Sequence, residues 1–356
     1  MQEKAQWSVY CLYNKKIKIS KEENFRDEWK ENKLNNSYIV VYNIYFDKNG
    51  VIKTDIVENG SIITITSNII NKNLTFSNIA ALLSSKSEVY IINGSINIIN
   101  NSSMIIEKNN IINNDKNQYG ILINSTNNLI RNNNIYTNTI NPYTSIIINN
   151  NENKVESNKI NINSTTNNAG ILINTSNNTL ERNVINVTTN SKIINTTSIS
   201  IGLNNSDKNY MQDNRIYINT NRNAIGIQLL NSNKNTIKNQ IYIYTSENAK
   251  GIELQDSKDN TITVNSLQIT SNNTAYGIIA KGNPTLKSNN SILTSYDNLE
   301  LTSTNSIGIL LENTNNINIK SITSGSNYII KGNYARAILT NNTNNTNIYY
   351  KYIQMW

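Results

Sequence analysis

The sequence predicts an all-β fold, a right-handed parallel β-helix solenoid of about ten coils with a short helical cap at its N-terminus. Three observations support this prediction: a repeat of nearly constant length, short alternating apolar segments within each repeat, and Asn-rich bends between those segments. The clearest copy of the repeat begins at Gly170 and reads GILINTSNNTLERNVI. Because a long-range period of this kind defines the architecture, it is interpreted before any local motif.

Small residues open most units of the repeat, and neighbouring openings lie 25 or 26 residues apart. They are Ser95, Gly120, Ser145, Gly170, Gly226, Gly251, Gly277 and Gly308. An insertion near 193–198 interrupts the spacing, and after it Ile201 is expected to take the position that Gly170 has in its own unit. A second insertion near 297–302 precedes the last of these openings.

Each unit contains short apolar segments with β character. In the clearest copy they are Ile171–Ile173, an apolar position at Leu180, and Ile185–Val187. Alternation with a period of two sends one set of Ile, Leu and Val inward, where equivalent residues of successive coils stack, and leaves a polar set outside. No segment reaches the length of an ordinary helix. The unit is therefore interpreted as one coil of a parallel β-helix.

Asn makes up roughly a fifth of the chain, far above average usage. It tolerates left-handed backbone angles at bends, and Asn side chains repeated at one position can form a ladder of amide hydrogen bonds. We therefore predict that Asn178, Asn209 and Asn235 are structural ladder residues. An Asn-rich chain can instead be disordered and prion-like, but random low complexity does not keep apolar residues in phase over many units.

The two ends of the chain differ from the repeats. Residues 1–37 are interpreted as an N-terminal cap with a short amphipathic helix, because Ser20–Glu23 has capping-box spacing and Phe25 and Trp29 share one helical face. Residues 38–346 are assigned to the β-helix, and 347–356 to a capping strand or the start of a further domain. A repeat array needs such atypical terminal units because its end coils are otherwise open.

Composition excludes several kinds of chemistry. The chain has no His and a single cysteine, Cys11, so a Ser-His-Asp or Cys-His mechanism, a His-bearing zinc site and an internal disulfide are excluded. The net charge is +8, but the basic residues are scattered, so nucleic acid is not an expected partner. Residues 1–20 lack the apolar core of a signal peptide. The sequence contains no apolar run of about 18 residues, so membrane insertion is not predicted.

The unit G-I-x-I-N-x-S-x-N-x-I-x-x-N-x-I, present over roughly residues 60–340, resembles the right-handed parallel β-helix repeats of the pectate-lyase-like superfamily. Within it, the unit is most similar to the Asn/Ile-rich adhesin-like surface proteins of methanogenic archaea and to NosD-like repeat proteins. The resemblance implies an extracellular or cell-surface location and partners such as glycans, cell-wall polymers or the surfaces of other cells. It implies no cofactor. Members of the adhesin-like group normally carry a signal peptide, and none is seen in this sequence.

Enzymes with this fold use clustered carboxylates, so acidic pairs are the candidates for catalysis. The only close pair of aspartates in the repeats is Asp256 and Asp259, with Glu253 on the preceding segment. The hydrolase motifs Asn-Thr-Asp, Asp-Asp, Gly-His-Gly and Arg-Ile-Lys do not occur. We therefore assign no catalytic residue and no metal ligand, and keep these three carboxylates as an alternative patch. The simpler interpretation is solvated bend carboxylates that pair with Lys258 or Lys208.

A better candidate for binding is the middle residue of the Ile-x-Ile segment, which alternation turns outward. In successive coils this residue is Tyr136, Asn161, Asn186, Tyr217, Tyr242, Gln268 and Thr294, and Tyr244 adds a second aromatic beside Tyr242. Tyrosine rings stack on sugar rings and amides bind hydroxyls, so the column predicts a glycan-binding face. Tyr is also simply a good strand residue, and a register error of one residue would turn the column inward.

These observations lead to three functional hypotheses. The first is a non-catalytic, adhesin-like cell-surface protein that binds glycans or cell-wall polymers along an outward β face. The alternative is a polysaccharide lyase or hydrolase of the same superfamily that uses the carboxylate patch. A second alternative is a structural spacer with no ligand.

Overall fold

The computed structural model describes residues 8–10, 45–46, 52–53, 61–65, 69–70, 73–77, 80–85, 91–114, 118–283, 288–289, 292–296, 298–320, 327–349 and 354–355. Every regular element in these ranges is a β-strand. They form a parallel β-solenoid of about 10 turns, as the period predicts. The predicted helix of the N-terminal cap lies outside the described residues.

Each complete turn contributes strands to three faces, which follow one another along the chain. Face 1 is an 11-stranded sheet, and the strand that contains Gly170 belongs to it. Neighbouring strands of this sheet pair in parallel. Its strands are Leu74–Ser77, Ile96–Ile99, Tyr119–Ile123, Tyr143–Ile148, Asn168–Ile173, Thr197–Asn204, Asn223–Leu230, Ala249–Gln255, Thr274–Lys281, Asn305–Glu312 and Tyr334–Asn341.

Faces 2 and 3 belong to one 22-stranded sheet. Face 2 has the strands Ser61–Ile65, Ala80–Ser85, Ser103–Glu107, Leu129–Arg131, Lys154–Glu156, Thr179–Glu181, Ile292–Tyr296, Asn318–Lys320 and Asn347–Tyr349. Face 3 has Ile69–Ile70, Ile91–Asn93, Asn110–Asn114, Asn134–Thr139, Lys159–Ser164, Val184–Thr189, Asn298–Thr302, Asn327–Lys331 and Gln354–Met355. Three long strands run through both faces, namely Tyr210–Thr220, Thr236–Thr245 and Thr261–Ser271.

The remaining strands stand outside this pattern. Ser8–Tyr10 pairs antiparallel with Ser61–Ile65 on face 2. Tyr45–Phe46 and Ile52–Lys53 form an antiparallel pair, and Ser288–Asn289 pairs in parallel with Thr314–Asn315.

The interior consists of columns of aliphatic side chains in register. On face 1, Ile121 pairs with Ile146, which pairs with Ile171, and all three are fully buried. On face 3, Ile160 and Ile185 repeat the pattern. Burying each such side chain contributes about 1.5–3 kcal/mol, so the predicted inward set is confirmed as the source of the core.

Two columns of buried Asn fill the bends on either side of face 2. The first is Asn128, Asn153, Asn178, Asn209, Asn235 and Asn260, and the second is Asn109, Asn133, Asn158, Asn183, Asn214 and Asn239. Asn158 donates its backbone N–H and its Nδ2 to Asn183 Oδ1, both at 3.0 Å, and its Nδ2 also donates to the Ile130 carbonyl at 2.8 Å. The predicted ladder role of Asn178, Asn209 and Asn235 is confirmed.

The left-handed backbone at the bend before face 2 belongs to the residue before each ladder Asn. In successive coils this residue is Asn127, Glu152, Asn177, Lys208, Lys234 and Asp259, with φ between 56° and 59°. At this bend one residue adopts the left-handed backbone and the next forms the ladder, and Asn suits the ladder because its short amide both donates and accepts along the stack.

The small residue that opens each unit marks a close approach of neighbouring coils. A Cβ atom added to Gly170 would lie 2.5 Å from the Ser200 carbonyl oxygen and 2.7 Å from Ile185 Cγ2. Because Ile171 pairs with Ile201, Ser200 takes the Gly position in the next coil. The prediction of Ile201 at this position was wrong by one residue, since the preceding insertion hides the phase of the repeat.

The outward side of face 1 differs from the predicted polar pattern. Leu122, Ile147 and Leu172 pair in register, lie outside the interior cluster and are partly exposed. Ile225 and Ile279 also face outward in later coils, yet both are buried. The expectation of a uniformly polar exterior was wrong for this face, because alternation sets only the direction of a side chain and not its chemistry.

Candidate functional site

The predicted column of outward residues, the middle residues of the Ile-x-Ile segments, lies on face 3, and its members pair in register. Pairing connects Tyr136, Asn161, Asn186, Tyr217, Tyr242 and Gln268 in this order. The next member is Glu300, not Thr294, which lies on face 2 and pairs with Thr263. The prediction of Thr294 was wrong because residues of the second insertion form the next strand of face 3.

The column contains a stacked pair of tyrosines. The rings of Tyr217 and Tyr242 have centroids 5.0 Å apart and an interplanar angle of 10°. Their strands, Tyr210–Thr220 and Thr236–Thr245, are adjacent and in register, so the backbone sets the distance between the rings. Parallel rings in this range stabilise each other and form a pre-ordered aromatic platform.

A shallow groove of about 410 Å³ surrounds this pair on the outside of face 3. Eight outward-facing residues from two columns line it, together with Val187, Ile218 and Ile243, which lie between them on the strands. The outward-facing residues are Asn186, Thr188, Tyr217, Asn219, Tyr242, Tyr244, Gln268 and Thr270. The structure therefore brings together five of the eight residues predicted for this face, namely Asn186, Tyr217, Tyr242, Tyr244 and Gln268. Tyr136 and Asn161 share the column but lie in earlier coils and do not line the groove.

Sequence reasoning missed Thr188, Asn219 and Thr270. Each lies two residues after a member of the predicted column, so it points to the same side of the strand. Tyr244, which was predicted, occupies this second column between Asn219 and Thr270. The alternation that defined the first column would also have defined the second.

The groove is uncharged and combines aromatic and aliphatic surface with amide and hydroxyl groups. None of the described residues that line it is acidic or basic. Arg215 is exposed two residues before Tyr217 on the same strand. At the far end of the column, Glu300 forms an ion pair with Lys331 at 3.5 Å. Amides and hydroxyls flanking aromatic rings can bind a polyhydroxylated ligand, because amides both donate and accept hydrogen bonds.

The alternative carboxylate patch divides into two locations. Glu253 lies on the outward side of face 1, is 5% exposed, and is held by Lys250 at 2.5 Å and by Gln228 at 2.9 Å. Asp256 and Asp259 follow at the bend toward face 2, each with a left-handed backbone. In the described part of the chain, no group of three or more His, Cys, Asp or Glu could hold a metal ion.

A cluster of four charges on and beside face 2 was not anticipated from the sequence. Lys154 Nζ lies 3.0 Å from Glu156 and 3.3 Å from Glu181, and Arg182 lies 2.6 Å from Glu156. Burial by itself lowers the pKa of Lys154, but the two carboxylates outweigh this effect and raise that pKa above its usual value. The cluster ties two coils together. Its sequence signal is a pair of glutamates 25 residues apart.

No protein-family model matches the sequence, and no curated protein matches it. None of the described residues forms a helix long and apolar enough to cross a membrane. Because these comparisons indicate no function, the function is inferred from the side chains on the surface of the solenoid.

Proposed function

We propose that this protein is a non-catalytic, adhesin-like rod that binds a glycan or cell-wall polymer in the groove on face 3. The observation that supports the proposal is the stacked pair of Tyr217 and Tyr242, with ring centroids 5.0 Å apart, in a groove of amide and hydroxyl side chains. Membership of the right-handed, pectate-lyase-like β-helices and a location at the cell surface belong to the same proposal.

The order of the coils suggests how a sugar chain is held. Because the two rings stack on each other, one face of Tyr217 is left toward the coil of Asn186 and one face of Tyr242 toward the coil of Gln268. The exposed parts of the two rings can pack against the apolar side of a pyranose. The amides of Asn186 and Gln268 then accept and donate hydrogen bonds to its hydroxyls.

Binding without chemistry is the simplest activity for this groove. Acid–base hydrolysis needs two carboxyl groups that flank the scissile bond, and the described lining of the groove contains none. The lyase or hydrolase and the inert spacer are therefore treated as outcomes of the experiment below.

A set of immobilised glycans and cell-wall polymers tests the proposal with the full chain and three variants. Wild type is expected to bind at least one polymer, and Tyr217→Ala combined with Tyr242→Ala to bind it at least about tenfold more weakly, a loss of about 1.4 kcal/mol. Tyr210→Ala is the matched control, because Tyr210 is exposed at the start of the same strand but on face 2.

Two results would contradict the proposal. Failure of wild type to bind any polymer would favour the spacer. Release of sugars or unsaturated products, abolished by Asp256→Asn, would favour the enzyme.

A further inference from the structure

The groove on face 3 is bordered by two cations. The residues two positions before the tyrosine column form a third outward column, whose members pair in register. From coil to coil they are Asn134, Lys159, Val184, Arg215, Gln240 and Ser266. In the same six coils, Lys159 and Arg215 are the only charged residues among the described outward positions of the three columns. The surface around the groove is therefore positively charged.

Both cations are exposed and have no anionic partner. None of the ion pairs among the residues that the structure describes includes Lys159 or Arg215. Asp213, two residues before Arg215, lies at the bend before face 3 and accepts a hydrogen bond from the preceding side chain at 2.9 Å. Glu181 and Glu247 pair with other cations, at 3.3 and 2.7 Å. The two cations of face 3 are thus free to bind an anionic ligand.

Arg215 is placed to hold a carboxylate of a ligand that packs on Tyr217. The two residues lie two positions apart on the same side of one strand, so their Cα atoms are about 6.6 Å apart, within the reach of an arginine side chain. A guanidinium group presents a planar fork of donors that binds a carboxylate through two parallel hydrogen bonds. A sugar ring against the tyrosine therefore has a carboxylate-binding group beside it.

The two cations recur in alternate coils. Val184 lies between Lys159 and Arg215 in the column, so two coil steps, about 9.6 Å, separate the cations. Each sugar of an extended glycan advances the chain by nearly one coil step. A glycan that crosses the coils along the columns therefore brings every second sugar to a cation.

We infer that the ligand of the groove is an acidic polysaccharide with one carboxylate on every second sugar, held by Arg215 and Lys159. This inference rests on the glycan binding proposed above and adds the chemical class of the polymer. A polymer with a carboxylate on every sugar would also place charges against Val184 and Gln240, which offer no cation. Attraction between exposed charges steers such a polymer to the groove and is screened by salt.

A single-stranded nucleic acid is the other polyanion that binds beside aromatic rings. It carries a phosphate on every nucleotide, whereas the outward positions of these coils offer two cations in six coils. The rings of Tyr217 and Tyr242 also stack on each other with centroids 5.0 Å apart, which leaves no space for a base between them. These features favour a sugar chain.

Calorimetry of the full chain with three probes tests the inference. The probes are hyaluronan oligosaccharides, which carry a carboxylate on every second sugar, the same oligosaccharides with the carboxylates reduced to alcohols, and oligomers of polygalacturonate, which carry one on every sugar. Wild type is expected to bind hyaluronan at least about tenfold more tightly than either of the others at low salt. This preference should fall below about threefold at about 1 M salt, where the screening length is about 3 Å.

Two double variants with the same change in net charge locate the effect. Lys159→Gln combined with Arg215→Gln is expected to bind hyaluronan and its reduced form equally. Lys208→Gln combined with Lys234→Gln is the control, because these lysines are exposed at the bend before face 2. The control is expected to keep the preference of wild type, and an equal loss in both variants would show that net charge, and not this column, attracts the polymer.

The inference is overturned by wild type that binds hyaluronan and its reduced form equally, or that binds polygalacturonate or a single-stranded oligonucleotide more tightly than hyaluronan. A preference that survives in the variant of Lys159 and Arg215 overturns it as well. Wild type that binds only a neutral polymer leaves the function proposed above in place and overturns this inference alone. Wild type that binds no polymer contradicts both.

Discussion

Asn183 donates its backbone N–H and its Nδ2 to Asn214 Oδ1, both at 2.9 Å, although these residues are 31 positions apart and not 25. The neighbouring step of the ladder, from Asn158 to Asn183, spans 25 positions with nearly the same distances. The extra residues of the insertion therefore leave the ladder intact, and they form the loop near Ile193 instead. The ladder, more than the length of the unit, keeps successive coils in register.

Removing one member of the ladder should be costly. Asn183→Ala takes away the acceptor for two donors of Asn158 and the donor for the Val155 carbonyl, all in a fully buried bend. Each buried polar group that is left without a partner destabilises the folded state by about 1–3 kcal/mol. We therefore expect the free energy of unfolding to fall by about 2–4 kcal/mol. Urea denaturation followed by circular dichroism measures it. Asn149→Ala, in the exposed ladder, should cost less than about 0.5 kcal/mol, and equal losses would contradict the assignment.

Gly170→Ala should lower the melting temperature more than Gly202→Ala. The added Cβ at Gly170 would lie 2.5 Å from a carbonyl oxygen of the next coil, which can move only with its backbone. At Gly202 the nearest atom is Leu172 Cδ1 at 3.2 Å, the end of a flexible side chain. We expect a cost of about 1–3 kcal/mol at the first position and a smaller one at the second, measured by thermal unfolding. The reverse order would show that the coil spacing is not limited by this contact.

Tyr242→Phe should preserve binding to the ligand of the groove better than Tyr242→Ala. Phe keeps the aromatic ring that stacks on Tyr217 and loses only the hydroxyl, whereas Ala removes the platform. We expect a loss of less than about threefold for Phe and at least about tenfold for Ala in affinity measured by calorimetry. A larger loss for Phe would mean that the hydroxyl, and not the ring, carries the recognition.

The charge cluster on face 2 predicts a dependence of stability on alkaline pH. Glu156 and Glu181 raise the pKa of Lys154 in the folded chain above its ordinary value of 10.5. A cation whose pKa is raised by folding stabilises the folded state below its unfolded pKa, and this contribution disappears as the pH rises through the folded pKa. Above about pH 10.5, the melting temperature of Lys154→Met should therefore fall less than that of wild type. Equal slopes in the two proteins would contradict the role of the cluster.

Individual residues show how far the sequence predicts the fold and the groove. The period of 25 residues was enough to place Ile121, Ile146 and Ile171 in one column, and to predict that Tyr217 and Tyr242 are neighbours. It failed after each insertion, where Ser200 and Glu300 occupy the positions predicted for Ile201 and Thr294. An insertion adds residues without marking where the regular coil resumes.

The sequence by itself determined the architecture, because stacking requires equivalent residues at a constant interval and both Ile and Asn show that interval directly. Only the tertiary structure decided which outward residues act together. The groove draws its lining from four coils, from Asn186 to Thr270, and the loop of the first insertion folds out between faces 3 and 1 without displacing the ladder. Such contacts depend on how the coil bends between faces and on how an inserted loop is held, and neither is encoded in a spacing along the chain.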